Sequence, residues 1–395
     1  MHMKARLVLV GLAALVQAGT VIALGATISG GDAWTYLAIS DDWLAWSTLL
    51  SPEAFENNFW PAGYPGVLAV FSAFGEAQVM GVRLLHVLLA AAVALMAGSM
   101  VDRVSHRAGT ATTAIIAASP TMLWAVWAVG YEMPLAFLLT AGLLIATRER
   151  VNESALLSLA GGLFLGLALL MQFRAALAVA FLVIVVLRRH ARRAAWLAAG
   201  IAVPVLAWAA RSWVATGNPA PWSANGPYNL WNGNNPQATG HNVFPLPPLP
   251  PDEDSYTSAA ISWIADNPVD FLNLTIRKFT FLFEPTRLAD VTDPFMGESL
   301  VAVFEIGLAV FIAGGLIAYL VLRLLRSARE ISFLDAPFGF AMAYLLPNIL
   351  FIVEPRFSIP VHAILVAISM SVFLWMVRWL RSRQRSTALA ANRAS

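Results

Sequence analysis

Residues 1–36 read MHMKARLVLVGLAALVQAGTVIALGATISGGDAWTY. Lys4 and Arg6 precede an apolar run from Leu7 to Ile28. The core of a signal peptide is about 7–15 residues long, whereas about 20 apolar residues are needed to cross a bilayer. The run therefore reads as a retained membrane-spanning helix with a basic cytoplasmic end. Gly30-Gly31 break that helix and set Asp32 at the membrane–water boundary.

The rest of the 395-residue chain repeats the theme. It is 59% hydrophobic and 12% charged, with a mean hydropathy of +0.69. A soluble domain carries about 25% charged residues, so bilayer is the natural solvent for this surface. Further spans are expected at about 79–101, 110–129, 132–147, 154–172, 175–187, 194–214, 299–322, 336–353 and 358–378. The apolar stretch 64–75 is too short to cross and reads as a re-entrant or interfacial helix. The fold class predicted is an all-α polytopic membrane protein of about ten transmembrane helices. Its parts are a transmembrane module over 1–214, an extracytoplasmic loop region over 215–298, and C-terminal hairpins with a basic tail over 299–395.

Most of the 25 Lys and Arg fall in alternate gaps, at Lys4–Arg6, Arg103–Arg107, Arg148–Arg150, Arg188–Arg193, Arg323–Arg329 and from Arg378 onward. Basic loops stay in the cytoplasm. Both termini are thus expected inside, with segments 29–63 and 215–298 outside. In the second segment, Asn218–Gln237 reads as loop and Pro245–Pro251 as an extended connector. Ser255–Asp266 reads as a helix stopped by Asn267-Pro268, and Phe271–Phe283 as an amphipathic helix on the membrane surface.

Several chemistries are excluded. The chain has no cysteine, hence no disulfide, iron–sulfur cluster, thiolate zinc site or Cys nucleophile. It has no Walker loop and no GxGxxG, so ATP-driven transport lacks its engine. Net charge is only +2 and the basic clusters are orientation signals, so no nucleic-acid partner is expected.

What remains is a set of ionisable groups on the outer face. Asp32 is half-desolvated there, which suits a general base, although Gly and Asp are also ordinary helix-cap residues. Glu132 follows Tyr131 at an outer turn. Arg174 lies between two apolar spans. Glu354-Pro355-Arg356 interrupts the last hairpin. Charges near membrane depth are expensive and point to function by default. The plainer alternatives are interfacial snorkelling for Glu132 and Arg174 and mutual pairing for Glu354 and Arg356. Asp41-Asp42 could bind a divalent cation, but no His lies nearby and the hard-cation spacing is incomplete, so no obligatory metal or other cofactor is expected. Trp231-Asn232-Gly233-Asn234-Asn235-Pro236 is a polar turn with an aromatic, the composition of a sugar-binding loop or of a plain surface turn. One acid plus several cations fits transfer from a phosphate-linked donor, where the base takes the acceptor proton and the cations stabilise the leaving phosphate.

The ordered set Gly31-Asp32 with Tyr36, Trp60-Pro61 with Tyr64-Pro65, Glu132, Gly233-Asn234-Asn235-Pro236, and Glu354-Pro355-Arg356-Phe357 with Pro360 resembles membrane glycosyltransferases of the GT-C class. It is similar in particular to bacterial relatives of the dolichyl-phosphate-mannose protein mannosyltransferases and to the lipid A aminoarabinose transferase. Ala175 after Arg174, and Phe357 in place of a frequent Tyr, depart from the pattern. The resemblance implies a GT-C-like fold in a bacterial plasma membrane. It implies a polyprenyl-phosphate sugar donor, a glycan, lipid or protein acceptor, and Asp32 as catalytic base. Arg356, Lys278 and Arg174 would hold the donor phosphate. Tyr36, Asp42, Tyr64, Glu132, Asn234 and Glu354 would position sugar or acceptor. The alternative is a transporter or flippase of lipid-linked sugars, using the same charges without chemistry.

Overall fold

A chain in lipid must satisfy its backbone polar groups internally, and helices do so within one segment. The computed structural model, which describes residues 2–28, 31–44, 60–148, 154–219, 223–284, 298–325 and 329–394, has only helices as regular structure, with no strand among those residues. The helices are α1 (His2–Leu24), α2 (Gly31–Leu44), α3 (Gly63–Phe71), α4 (Gln78–Val101), α5 (His106–Ala117), α6 (Pro120–Trp127), α7 (Glu132–Thr147) and α8 (Ala155–Met171). They continue with α9 (Ala176–Leu187), α10 (Ala191–Thr216), α11 (Asn225–Gly233), α12 (Tyr256–Asp266), α13 (Pro268–Phe281), α14 (Glu298–Leu324), α15 (Asp335–Asn348) and α16 (Ile359–Ala394).

Five described runs are long and apolar enough to cross a membrane: His2–Ala23, Gly63–Val101, Ala191–Thr216, Val301–Leu324 and Pro355–Gln384. The pair α6 and α7, bent by 116°, makes a sixth if counted as one span. This is fewer than the ten expected. The stretch 110–129 is broken at Ser119-Pro120, where Pro120 opens a new helix. The stretches at 154–172, 175–187 and 336–353 become helices of 17, 12 and 14 residues. At about 1.5 Å per residue, a 12-residue helix covers roughly 18 Å of a ~30 Å hydrocarbon core. Within the run Gly63–Val101, the stretch 64–75 holds the short helix α3 and a 3-10 turn, with a kink at Gly75, φ +55°, before α4.

Burial sorts the helices. The last span is 78% buried against neighbours, whereas α1 is 22% buried. Leu12, Leu15 and Val16 on α1, and Val303, Val310 and Ile317 on α14, are large apolar side chains left exposed, as lipid-facing residues should be. The continuous core gathers α4, α7, α15 and α16, with Leu139, Leu143, Phe340, Ile364 and Ile368 buried.

The loop expected at Asn218–Gln237 contains a helix, α11, which seats Trp231 on Ala259 and Ala260 of α12. The composition is loop-like; the tertiary contact imposes the helix. The expected helix at Ser255–Asp266 is α12, capped by a reciprocal Ser255–Ser258 box.

Candidate active site

Asp32 occupies the first turn of α2. Unpaired backbone N–H groups and the helix dipole favour a carboxylate there. Its Oδ2 accepts from Arg356 at 2.6 Å, across 324 residues of chain. Arg356 lies on a 3-10 turn, Pro355–Ser358, at the mouth of α16. The same guanidinium sits 3.6 Å from Glu132 Oε1. The three side chains differ in access: Asp32 and Arg356 are 30% and 29% exposed, and Glu132 only 1%. Arg356 thus sits between a carboxylate open to the surface and one sealed in the core. Glu132 makes no hydrogen bond within reach of its buried oxygens, so Arg356 is its charge partner. A Cβ at Gly130 would fall 2.2 Å from Glu132 Oε2, so a larger residue there would displace that carboxylate.

Three aromatic rings build the wall beside Asp32. Tyr36, one turn further along α2, meets Trp60 and Tyr64 edge-on, with centroids 5.4 and 5.3 Å away. The hydroxyls of Tyr36 and Tyr64 are buried without a hydrogen-bond partner. Burial first, then the nearby Tyr131 and Asp32, hold the Tyr36 phenol well above its usual value, so it acts as a neutral donor. Buried polar groups left unmet are uncommon and mark these two hydroxyls out.

Arg174 also joins this group. Its Nη1 donates to Asn348 at 3.1 Å, and its guanidinium lies 4.5 Å from the centre of the Phe357 ring, which Arg356 approaches at 5.6 Å. Phe357 therefore stacks with both arginines.

Lys278 and Asn234 form a second group. Lys278 is fully buried on α13, one turn after Leu274, and its Nζ donates to Asn234 Oδ1 at 3.0 Å. Burial pushes the Lys278 ammonium down to about 7. The Asn234 amide donates to Leu230 O and, at 2.7 Å, to Leu350 O. Val353 N donates to Gly240 O, and Asn242 N to Glu354 Oε1 at 3.5 Å. Gly233 packs against the backbone of Phe351, where a Cβ would lie 2.5 Å from its carbonyl carbon. This group thus braces residues 350–354, the segment that delivers Arg356.

Of the residues expected from sequence, the structure brings Asp32, Tyr36, Tyr64, Glu132, Arg174 and Arg356 together. Lys278 and Asn234 pair with each other. Glu354 is bonded to the 242 backbone, and the ion pairs of Arg356 are with Asp32 and Glu132. The side chain of Asp42 lies outside the described residues, as do residues 45–59 of the first outer segment. Trp231 is 2% exposed, donates to Pro247 O and packs on Ala259 and Ala260 of α12. Among the described residues no group of His, Asp and Glu is arranged to hold a metal ion.

Arg83 is the residue the sequence did not flag. It is buried on α4, lies 3.5 Å from the centre of the Trp127 ring, and donates to Trp127 O, Gly25 O and Thr27 O at 2.8, 2.8 and 2.6 Å. Gly25 and Thr27 lead into Asp32, and Trp127 leads into Glu132. Arg83 thereby ties together the two turns that carry the carboxylates. A charge within an apolar helix, near its start, was the sequence signal available.

Compared with protein-family models, characterised proteins and solved structures, the chain finds no match.

Proposed function

We propose that this membrane protein is an inverting glycosyltransferase that moves a sugar from a polyprenyl-phosphate donor to an acceptor hydroxyl at its outer face. The observation that carries this reading is the Arg356–Asp32 pair at 2.6 Å, partly open to the surface and backed by buried Glu132. In this reading the donor phosphate takes the guanidinium of Arg356, with Arg174 beside it, and frees the Asp32 carboxylate. Asp32 then accepts the proton of the acceptor hydroxyl. The acceptor oxygen bonds to the anomeric carbon as the bond to the phosphate oxygen breaks, and polyprenyl phosphate leaves with the electron pair. Tyr36 and Tyr64 offer hydroxyls to the sugar. Lys278 and Asn234 serve by bracing the Arg356 segment.

A wholly apolar groove of about 440 Å³ runs from beside Tyr64 between α3, α4, α7 and α8, lined by Val67, Val70, Leu89, Phe137, Leu167 and Met171. It suits an isoprenoid tail entering from the bilayer. About ten helical crossings or part-crossings, a GT-C-like arrangement and both termini in the cytoplasm belong to the same proposal.

Asp32→Asn keeps the shape of the site and removes the base. Purified Asp32→Asn is expected to fold as the parent does and to lose about 10²–10⁴-fold in transfer from a synthetic polyprenyl-phospho-sugar in detergent. Unchanged turnover would refute the mechanism. A parent protein that leaves the sugar–phosphate bond intact with any acceptor, yet moves the lipid across vesicles, would identify a flippase instead.

A further inference from the structure

The far ends of α8 and α10 form a second site. The two helices cross closely. A Cβ on Gly162 would lie 2.1 Å from Leu197 O, one on Gly200 would lie 2.2 Å from Leu159 O, and one on Gly166 would lie 2.5 Å from Ile201 O. Residue numbers rise together along both helices through these contacts, so α8 and α10 run parallel. Gly162 and Leu197 sit roughly two turns from the first residues of their helices. Before that crossing the first turns diverge and leave a cleft of about 360 Å³.

The cleft is lined by His190, Arg192, Arg193, Ser154 and Ser158, with Trp196 at its rim. Arg193 donates to Ile145 O, which sets its guanidinium at the cleft wall. Arg192 and His190 are exposed, and among the described residues no carboxylate lines the cleft. Two parallel helices of 17 and 26 residues also turn their positive ends to the same space. Side by side these ends repel, and an anion between them relieves the repulsion. Cationic side chains, the dipoles and the cavity size all select one negative group. Ligand pockets begin at about 300 Å³. Trp196, 41% exposed, places an indole at the rim, the residue type that marks headgroup depth. Basic clefts between transmembrane helices are suited to phospholipid headgroups.

We propose that the cleft between the first turns of α8 and α10 binds the phosphate headgroup of an anionic phospholipid. The site lies a full α8 length, roughly 25 Å, from Met171 and the Arg174 turn beside the candidate active site, and it does not depend on the transferase reading.

The test uses the full chain, delipidated in detergent, with native mass spectrometry and thermal unfolding in phosphatidylglycerol, phosphatidylcholine or inorganic phosphate. Phosphatidylglycerol should be retained at least tenfold better than phosphatidylcholine and should raise the unfolding midpoint. Arg192→Glu should lose that preference at least tenfold. So should Arg192→Gln with His190→Gln, should the charge reversal compromise folding. Arg381→Glu, in the basic tail, should keep it. Equal retention of the two lipids, an unchanged preference in both Arg192 variants, or equal stabilisation by inorganic phosphate alone would overturn the proposal.

Discussion

Arg356 shows how much can depend on one side chain. Its guanidinium faces Asp32 on one side and the sealed carboxylate of Glu132 on the other. Removing one partner of a buried ion pair leaves an uncompensated charge and costs about 3–5 kcal/mol, less where water reaches the site, as it does here. Arg356→Gln should therefore lower the thermal unfolding midpoint. Adding Glu132→Gln should recover much of that loss, because the stranded charge is gone. Transfer activity should stay lost in both variants, since the phosphate would have lost its cation. Scanning fluorimetry and a transfer assay on the four proteins of this cycle separate the two roles. A double variant no more stable than Arg356→Gln would mean that Glu132 is not held by that arginine.

Among the elements, α13 carries the clearest pH signature. Lys278 is buried there, with an ammonium pushed down to about 7 against an ordinary value of 10.5. Between those values the unfolded chain holds a proton that the folded chain has released. Stability therefore rises with pH across that window, with a slope of at most about 1.4 kcal/mol per pH unit, and the charged form weighs against the fold below it. Lys278→Met should flatten this rise, seen as the difference between the two unfolding midpoints from pH 6.5 to 9.5. A parallel pair of curves would show that Lys278 does not titrate in the window. The same helix illustrates a limit of pattern reading. Periodicity marks Phe271–Phe283 as amphipathic, but it does not say that the buried stripe includes Lys278 below Leu274. That depends on Asn234, 44 residues away, turning its carbonyl oxygen to the amine.

For the whole molecule, the distribution of Lys and Arg sets orientation, and the absence of cysteine makes it easy to test. Single cysteines at Ser258, on α12, and Ser382, on α16, should be labelled by an impermeant maleimide from opposite sides. Ser382 should react in inside-out vesicles and Ser258 in right-side-out ones. Labelling of both from one side would refute the proposed orientation and, with it, the proposed outer placement of Asp32.

The apolar runs by themselves established a helical membrane protein, because no other soluble arrangement hides that much hydrocarbon and helices satisfy their own backbone. They also marked Asp32, Glu132, Arg174 and Arg356, since isolated charges beside long apolar runs are costly and stand out. The number of full-length crossings was not legible, because Pro120 and the bend before Glu132 divide runs whose composition is continuous. Which charges meet was not legible either. Arg356 had an acid two residues away in Glu354, yet its partners lie 324 and 224 residues off, brought in as α2 packs on α3 and α7 packs on α16. Local chemistry is written residue by residue, whereas ion pairing depends on distances that exist only after the helices have packed.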